Sequence, residues 1–387
     1  MPHSLEPHQK KFSRSSFYEF YRPITNILPE IPILVSRGDR PLQMTFEDQL
    51  KSLVFYHLEE HVSARHMLQV LEEDEFARKN IAPEGGIKKS SFSEAINTRG
   101  IEQFQLVFEK VSSQAAGILP KAHPALGNLV GIDGSLITAT LSMHWADYRN
   151  GSKKAKIHLG FDLNHGIPSK IFFTDGKGAE RPFVGPIVSP GQTAVADRGY
   201  QSHTLFDTLQ AEGKSFVIRI KAKTTKTVIQ QNEISAGSII FFDADVLLGT
   251  PANNNQTQKP VRLVGYQVNG VNYWIATDRR DLTAEQIAEI YKLRWKIENF
   301  FAWWKRHLRV YHLIARSPYG LMVQILAGLI TYMLLAIYCH KNHEEPVSIK
   351  RVRELRLQIK NEIYASGVST DSYIFKEQKQ SEAHAKT

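Results

Sequence analysis

Cysteine occurs once in this chain, at Cys339, so no intrachain disulfide can form and no Cys-rich zinc site can be built. A lone thiol also suits a reducing compartment such as the cytoplasm. Acids are in short supply too: 39 Asp and Glu stand against 48 Lys and Arg, a formal net charge of +9. That imbalance fits either a merely basic soluble protein or one with an anionic partner, of which nucleic acid is the commonest. The opening stretch MPHSLEPHQKKFSRSS has none of the apolar run that a secretory signal requires. Only one long apolar run exists, LMVQILAGLITYMLLAIYCH at 321–340, and Gln324, Gly328, Thr331 and Tyr332 interrupt it. It reads as the buried helix of a large soluble core, not as a membrane span.

What is present changes character along the chain. Residues 1–42 carry scattered prolines and bases without a sustained period and read as an arm. Residues 43–122 are helical: a capping box at Thr45–Asp48 leads the stripe Leu50, Leu53, Val54, Leu58. Further helices are expected over Ala64–Glu73, from a second box at Ser91–Glu94, and over about 106–116. Such a region is either a helix-turn-helix DNA reader or a plain helical cap. From 123 to 222 the pattern turns to short β-branched and aromatic runs, NLVGIDGSLITA, AKIHLGFDL, SKIFFTDG, TAVADRGY and SFVIRIKA, with SHTLFDTLQAEG as a helix before the last. This predicts an α/β fold, a mixed sheet packed by helices. Residues 223–277 read as a β-rich insertion in which Asn269-Gly270 sits between apolar alternations, the strongest hairpin signal in the chain. The helical period returns over 278–345, and 346–387 reads as a helical or loose tail.

The stretch YKLRWKIENFFAWWKRH, 291–307, sets one acid among bases and rings. On a helical wheel Tyr291, Arg294, Glu298 and Lys305 fall within about a sixth of the circle, beside the apolar arc of Ile290, Leu293, Ile297, Phe300, Phe301 and Trp304. Lys292, Lys296, Asn299 and Arg306 take the opposite face. An i,i+4 ion pair explains Arg294 and Glu298 but not the alignment of all four. Two further acids stand where strands disfavour them: Asp133 in Gly131-Ile-Asp-Gly-Ser135, and Asp197 in Val195-Ala-Asp-Arg-Gly-Tyr200. Singly, each reads as a turn residue; with Glu298 they read as a metal site. Two carboxylate charges about 4 Å apart repel by about 4 kcal/mol at an effective dielectric of about 20. A hard divalent ion reverses that sign, and two Mg²⁺ in an all-carboxylate site suit in-line phosphoryl displacement. Tyr291, Arg294 and Lys305 then border the acid where a phosphodiester backbone lies.

The spacing Y-x2-R-x3-E-x6-K from Tyr291 to Lys305, with Asp133 in a DGS context and Asp197 in an ADRGY context, resembles bacterial insertion-sequence transposases of the DDE class. The resemblance covers about 125–340. It implies a ribonuclease H-like fold with a β-rich insertion before the glutamate, and Asp133, Asp197 and Glu298 as catalytic and metal-binding residues for two Mg²⁺ or Mn²⁺ ions. It also implies cut-and-paste transposition: water nicks the element end, and the freed 3′-hydroxyl joins DNA. Double-stranded DNA is the implied partner, with a dimer when DNA is bound, and the place of action is the bacterial cytoplasm, on the nucleoid. Tyr273 and Trp274 are candidates for stacking a flipped base, although neighbouring strand residues face opposite ways and at least one belongs to the sheet. Arg198 either contacts phosphate or forms a structural pair. His144 and Trp145 read as structural, whereas Trp295 and Trp303, outside the apolar arc, fit packing or DNA contact equally. Competing readings are a nuclease of the same fold without strand transfer and a catalytically decayed DNA-binding protein.

Overall fold

A computed structural model describes residues 15–35, 42–83, 85–252 and 255–365. The expected strand runs form β1 (Asn128–Thr138), β2 (Lys154–Asp162), β3 (Ile167–Asp175), β4 (Gln192–Ala196) and β5 (Ser215–Arg219). The first three make an antiparallel meander, while β4 and β5 run parallel to β1, giving the order β3-β2-β1-β4-β5. That is the ribonuclease H-like arrangement implied above.

The region 223–277 supplies β6 (Lys226–Gln231), β7 (Ile240–Thr250), β8 (Asn255–Gln256), β9 (Val261–Val268) and β10 (Val271–Thr277). It is β-rich as expected, but it does not form a sheet of its own. β10 pairs with β5, so the order continues β5-β10-β9-β7-β6 as one sheet. Asn269 and Gly270, with φ of 51° and 76°, make the tight turn between β9 and β10, where both central residues need positive φ.

Side chains alternate across this sheet. Leu129, Val195, Val217, Val264 and Ile275 face one core, and Val130, Ile132, Ala194, Ala196, Phe216 and Ile218 face the other. The N-terminal helices α1 (Ser16–Ile27), α2 (Phe46–Leu58), α3 (Ala64–Glu73), α4 (Glu75–Asn80), α5 (Lys89–Thr98) and α6 (Ile101–Ile118) share the core of the first face, α6 packing on β3 itself. The second face is covered by α7 (Val184–Ile187) and α8 (His203–Ala211). The remaining helices are α9 (Ala284–Leu293), α10 (Trp295–His307), α11 (Pro318–His343) and α12 (Ile349–Ala365). Helix α11 is the apolar run singled out above. It is enclosed by protein, with α1, α2, α5, α6 and α10 packed on it, which is why it is apolar all round.

Two expectations need correction. The arm over 1–42 contains α1, whose Phe17, Phe20, Tyr21, Ile24 and Ile27 are buried; Pro23 lies inside the helix and disguised an otherwise regular period. The second capping box does not start a helix. Helix α5 begins at Lys89, and the Ser91 hydroxyl donates instead to Gln43 Oε1 at 2.7 Å. The Thr45 box forms as expected. The arm before residue 15 and the tail from Ser366 lie outside the described residues.

His57-Leu-Glu-Glu-His61 spells an H-x-x-E-H zinc motif, and the fold disposes of it. The His57 ring is fully buried, with Nδ1 2.6 Å from Leu308 O and Nε2 3.1 Å from Gln324 O. Gly328 makes room for it, since a Cβ there would meet His57 Cε1 and Trp304 Nε1, both at 3.3 Å. Burial lowers the His57 pKa to about 4, outweighing the two carbonyls that favour the charged ring. The folded pKa is below the unfolded one, so stability is full above the unfolded value and falls as acid protonates the unfolded chain first. Between pH 7 and 4.5 the wild-type chain is expected to lose roughly 2–3 kcal/mol more than His57→Gln. Urea midpoints at the two pH values measure this, and equal losses would refute it.

Candidate active site

The register of three neighbouring strands decides what comes together. Gly131 pairs with Val195, and Val195 pairs with Val217, all in parallel strands. Two residues further along each chain stand Asp133, Asp197 and Arg219, at one level on one face of the sheet. Adjacent strands lie about 4.8 Å apart, so these three side chains form a row.

Asp133 is half-buried, and its Oδ1 accepts a 2.8 Å bond from the Gly134 amide. Burial pushes its pKa up to about 7, and the charges of Glu298 and Asp197 push in the same direction, against the Gly134 amide and Arg294. Asp197 follows β4 directly and caps the 3-10 turn Arg198–Tyr200, its Oδ1 accepting from Gly199 N at 2.8 Å. Tyr200 turns back beneath the sheet end, where burial raises its hydroxyl pKa and the charges of Glu180, Asp133 and Asp197 add to the effect. Arg198 itself is exposed and, among the described residues, makes no ion pair.

Glu298 arrives from above, in the first turn of α10, which packs on β1. The helix expected from 291 onward is interrupted at Arg294, where amide bonds tighten to Arg294 N–Tyr291 O and Ile297 N–Arg294 O, each 3.2 Å. Arg294 keeps helical dihedrals (φ −50°, ψ −32°), so the wheel survives the break. Its Nη1 lies 2.5 Å from Glu298 Oε1, and its guanidinium carbon is 5.6 Å from the Tyr291 ring centre. Lys305 reaches down to β1 and donates to Leu136 O at 2.9 Å. Burial lowers its pKa, with the Asp133 charge opposing. The four aligned residues therefore do cover the row on the sheet.

Of the two aromatic candidates, Tyr273 shares the row's face. It stacks on Tyr266 at 5.1 Å and lies 6.1 Å from Tyr291. Trp274 is on the other face, against Phe241 and Phe242, each at 5.2 Å, with Lys226 Nζ 4.4 Å from its ring centre. His144 is exposed, and Trp145 is half-buried against Phe173, its Nε1 donating to Arg316 O at 2.9 Å.

Arg219 was not among the sequence candidates. Its guanidinium lies 4.6 Å from the Tyr273 ring centre, it lowers the Tyr291 pKa against burial, and among the described residues it has no carboxylate partner. Only strand register links it to Asp197, and no sequence period carries register.

The donors suit a hard divalent cation. They are carboxylate oxygens, and the Asp133 carboxyl is burdened by burial and by two neighbouring acids, with the Arg294 charge opposing them. Among the described residues no three His, Cys, Asp or Glu side chains stand close enough together to hold one metal ion, and Glu298 is paired with Arg294.

Residues 126–334, more than half of the chain, match a family described as a transposase DDE domain. A Sinorhizobium fredii protein named as transposase y4zB is 28% identical over 217 residues, covering 54% of this chain and 61% of that protein. The chain thus spans about three fifths of that relative's length. A Synechocystis protein, named as the transposase for insertion sequence element IS4SA, is 24% identical over 290 residues, 73% of this chain and 80% of its own. A solved piggyBac transposase synaptic complex with hairpin DNA aligns over 96% of this chain and 86% of that one, at 13% identity and a TM-score of 0.46. With the matched segment running from the start of β1 into α11, and so taking in both aspartates and the helix that covers them, the chain belongs to the DDE transposase family.

Proposed function

We propose that this protein is a transposase that cuts DNA at element ends and joins the freed 3′-hydroxyl to a target. The observation that carries the reading is the row Asp133–Asp197–Arg219 on one sheet face, covered by Tyr291, Arg294, Glu298 and Lys305. Acids and cations alternate there over a short distance, which suits a phosphodiester held beside a catalytic centre.

Asp133, Asp197 and Glu298 would hold two Mg²⁺ or Mn²⁺ ions. When bound, such ions supply Lewis acidity toward the attacking and leaving oxygens of an in-line displacement. The chain's own groups do the rest. Arg294 fixes Glu298, so the acid waits in one orientation. Arg294 and Arg219 present guanidinium donors to backbone phosphate, Lys305 adds a point charge and Tyr291 a hydroxyl. Tyr273 offers a ring face on the same side. These contacts place a strand and carry no base sequence. Arg198 extends the cationic rim. The DNA is double-stranded, synapsis of two ends requires a dimer on DNA, and the reaction takes place in the cytoplasm on nucleoid DNA.

The test supplies pre-cut element ends with free 3′-hydroxyls, a target plasmid and Mg²⁺. Joined products are expected. Plasmid nicking without joining would show a nuclease, and neither product would show a protein that only binds.

A further inference from the structure

The two aspartates of the row are oriented in the same way. Asp133 Oδ1 accepts from the Gly134 amide, and Asp197 Oδ1 from the Gly199 amide, each at 2.8 Å. Both glycines are in turn met by one loop, residues 176–183, which runs from the end of β3 to the start of α7.

Two consecutive residues of this loop meet the glycines separately. Glu180 lies against Gly134: a Cβ there would come within 2.8 Å of Glu180 Oε1 and 2.9 Å of its Cδ, so only glycine leaves room for the acid. Arg181 Nε donates to Gly199 O at 3.0 Å. Glu180 is itself anchored, because Lys156 Nζ on β2 lies 3.1 Å from its Oε1 and donates to Gly178 O at 2.9 Å. Phe183 fastens the far end of the loop by stacking on His158, ring centres 4.1 Å apart, and His158 is the strand partner of Gly134. Successive strand residues face opposite ways, so Glu180 approaches from the side of the sheet away from the Asp133 carboxylate and does not join the row.

A carboxylate holds a cation only as well as its own orientation is held, and groups that fix a ligand from outside matter about tenfold or more. We propose that Glu180 and Arg181 are positioning residues of the active site. Glu180 sets the Gly134 amide that orients Asp133, and Arg181 sets the Gly199 amide that orients Asp197. The inference rests on the reading of these two aspartates as metal-binding.

The test has a metal-free arm and a metal arm. In the ¹⁵N-glycine-labelled chain without divalent ions, Glu180→Ala is expected to move the Gly134 amide signal and Arg181→Ala that of Gly199, each leaving the other in place. A merely structural defect would instead move many of the 24 glycines. Calorimetric Mn²⁺ affinity is expected to fall about tenfold in either variant, with the metal-free thermal midpoint unchanged. Glu180→Gln keeps the volume beside Gly134 and an acceptor for Lys156, and is expected to stay within about threefold of wild type. Arg181 is exposed, so Arg181→Ala keeps the proposal testable even if Glu180→Ala unfolds. Wild-type Mn²⁺ affinity in both variants, or glycine shifts that are absent or widespread, would overturn the positioning role alone, with metal uptake and joining by the wild-type chain intact. A wild-type chain that takes up no Mn²⁺ would remove the metal site as well.

Discussion

Asp197→Asn and Glu298→Gln are each expected to cleave an end-labelled duplex in Mg²⁺ about 10³-fold more slowly than the wild-type chain. The size follows from the charge removed. A unit charge about 4 Å from its counter-charge is worth about 4 kcal/mol at an effective dielectric of about 20, and each 1.36 kcal/mol is tenfold in rate. Both substitutions keep shape and hydrogen-bonding capacity, and neither side chain is buried in an apolar core, so the thermal midpoint is expected to stay within a few degrees. Calorimetric Mn²⁺ affinity should fall with the rate. Single-turnover cleavage within tenfold of wild type in either variant would remove the acids from the chemistry.

The second large effect concerns stability. Arg262 on β9 is buried against Asp243 on β7, with Nη2 2.7 Å and Nε 2.9 Å from the two carboxylate oxygens, and its Nη1 donates to Leu282 O at 2.6 Å. Asp243 is 2% exposed, so Arg262→Met strands a buried charge. Removing one partner of such a pair costs about 3–5 kcal/mol, whereas replacing both by apolar residues is often nearly neutral. Urea unfolding should therefore show a large loss in Arg262→Met and recovery of most of it in Arg262→Met with Asp243→Leu. A single variant as stable as wild type would mean the pair is not enclosed. The same arginine ties the insertion to the segment just before α9, so the loss should also reach Tyr291 and Arg294.

Local chemistry was readable from the chain wherever it is local. The Asn269-Gly270 turn, the Thr45 cap, the strand bearing Asp133 and the alignment of Tyr291, Arg294, Glu298 and Lys305 all depend on neighbours within a few residues. Helix α1 was hidden by one proline in an otherwise regular stripe. Arg219 was hidden for a deeper reason: its place beside Asp197 is set by pairing between strands joined through α8. Likewise, nothing local says that β10 closes onto β5 and merges the insertion with the main sheet.

Helix α11 sets an order on synthesis. Helices α2, α5 and α6 rest on a partner that the ribosome makes some two hundred residues later. On a nascent chain α2, α5 and α6 therefore stay incompletely packed until residues near His343 emerge. A product terminated before α11 lacks the apolar surface on which α2, α5 and α6 pack.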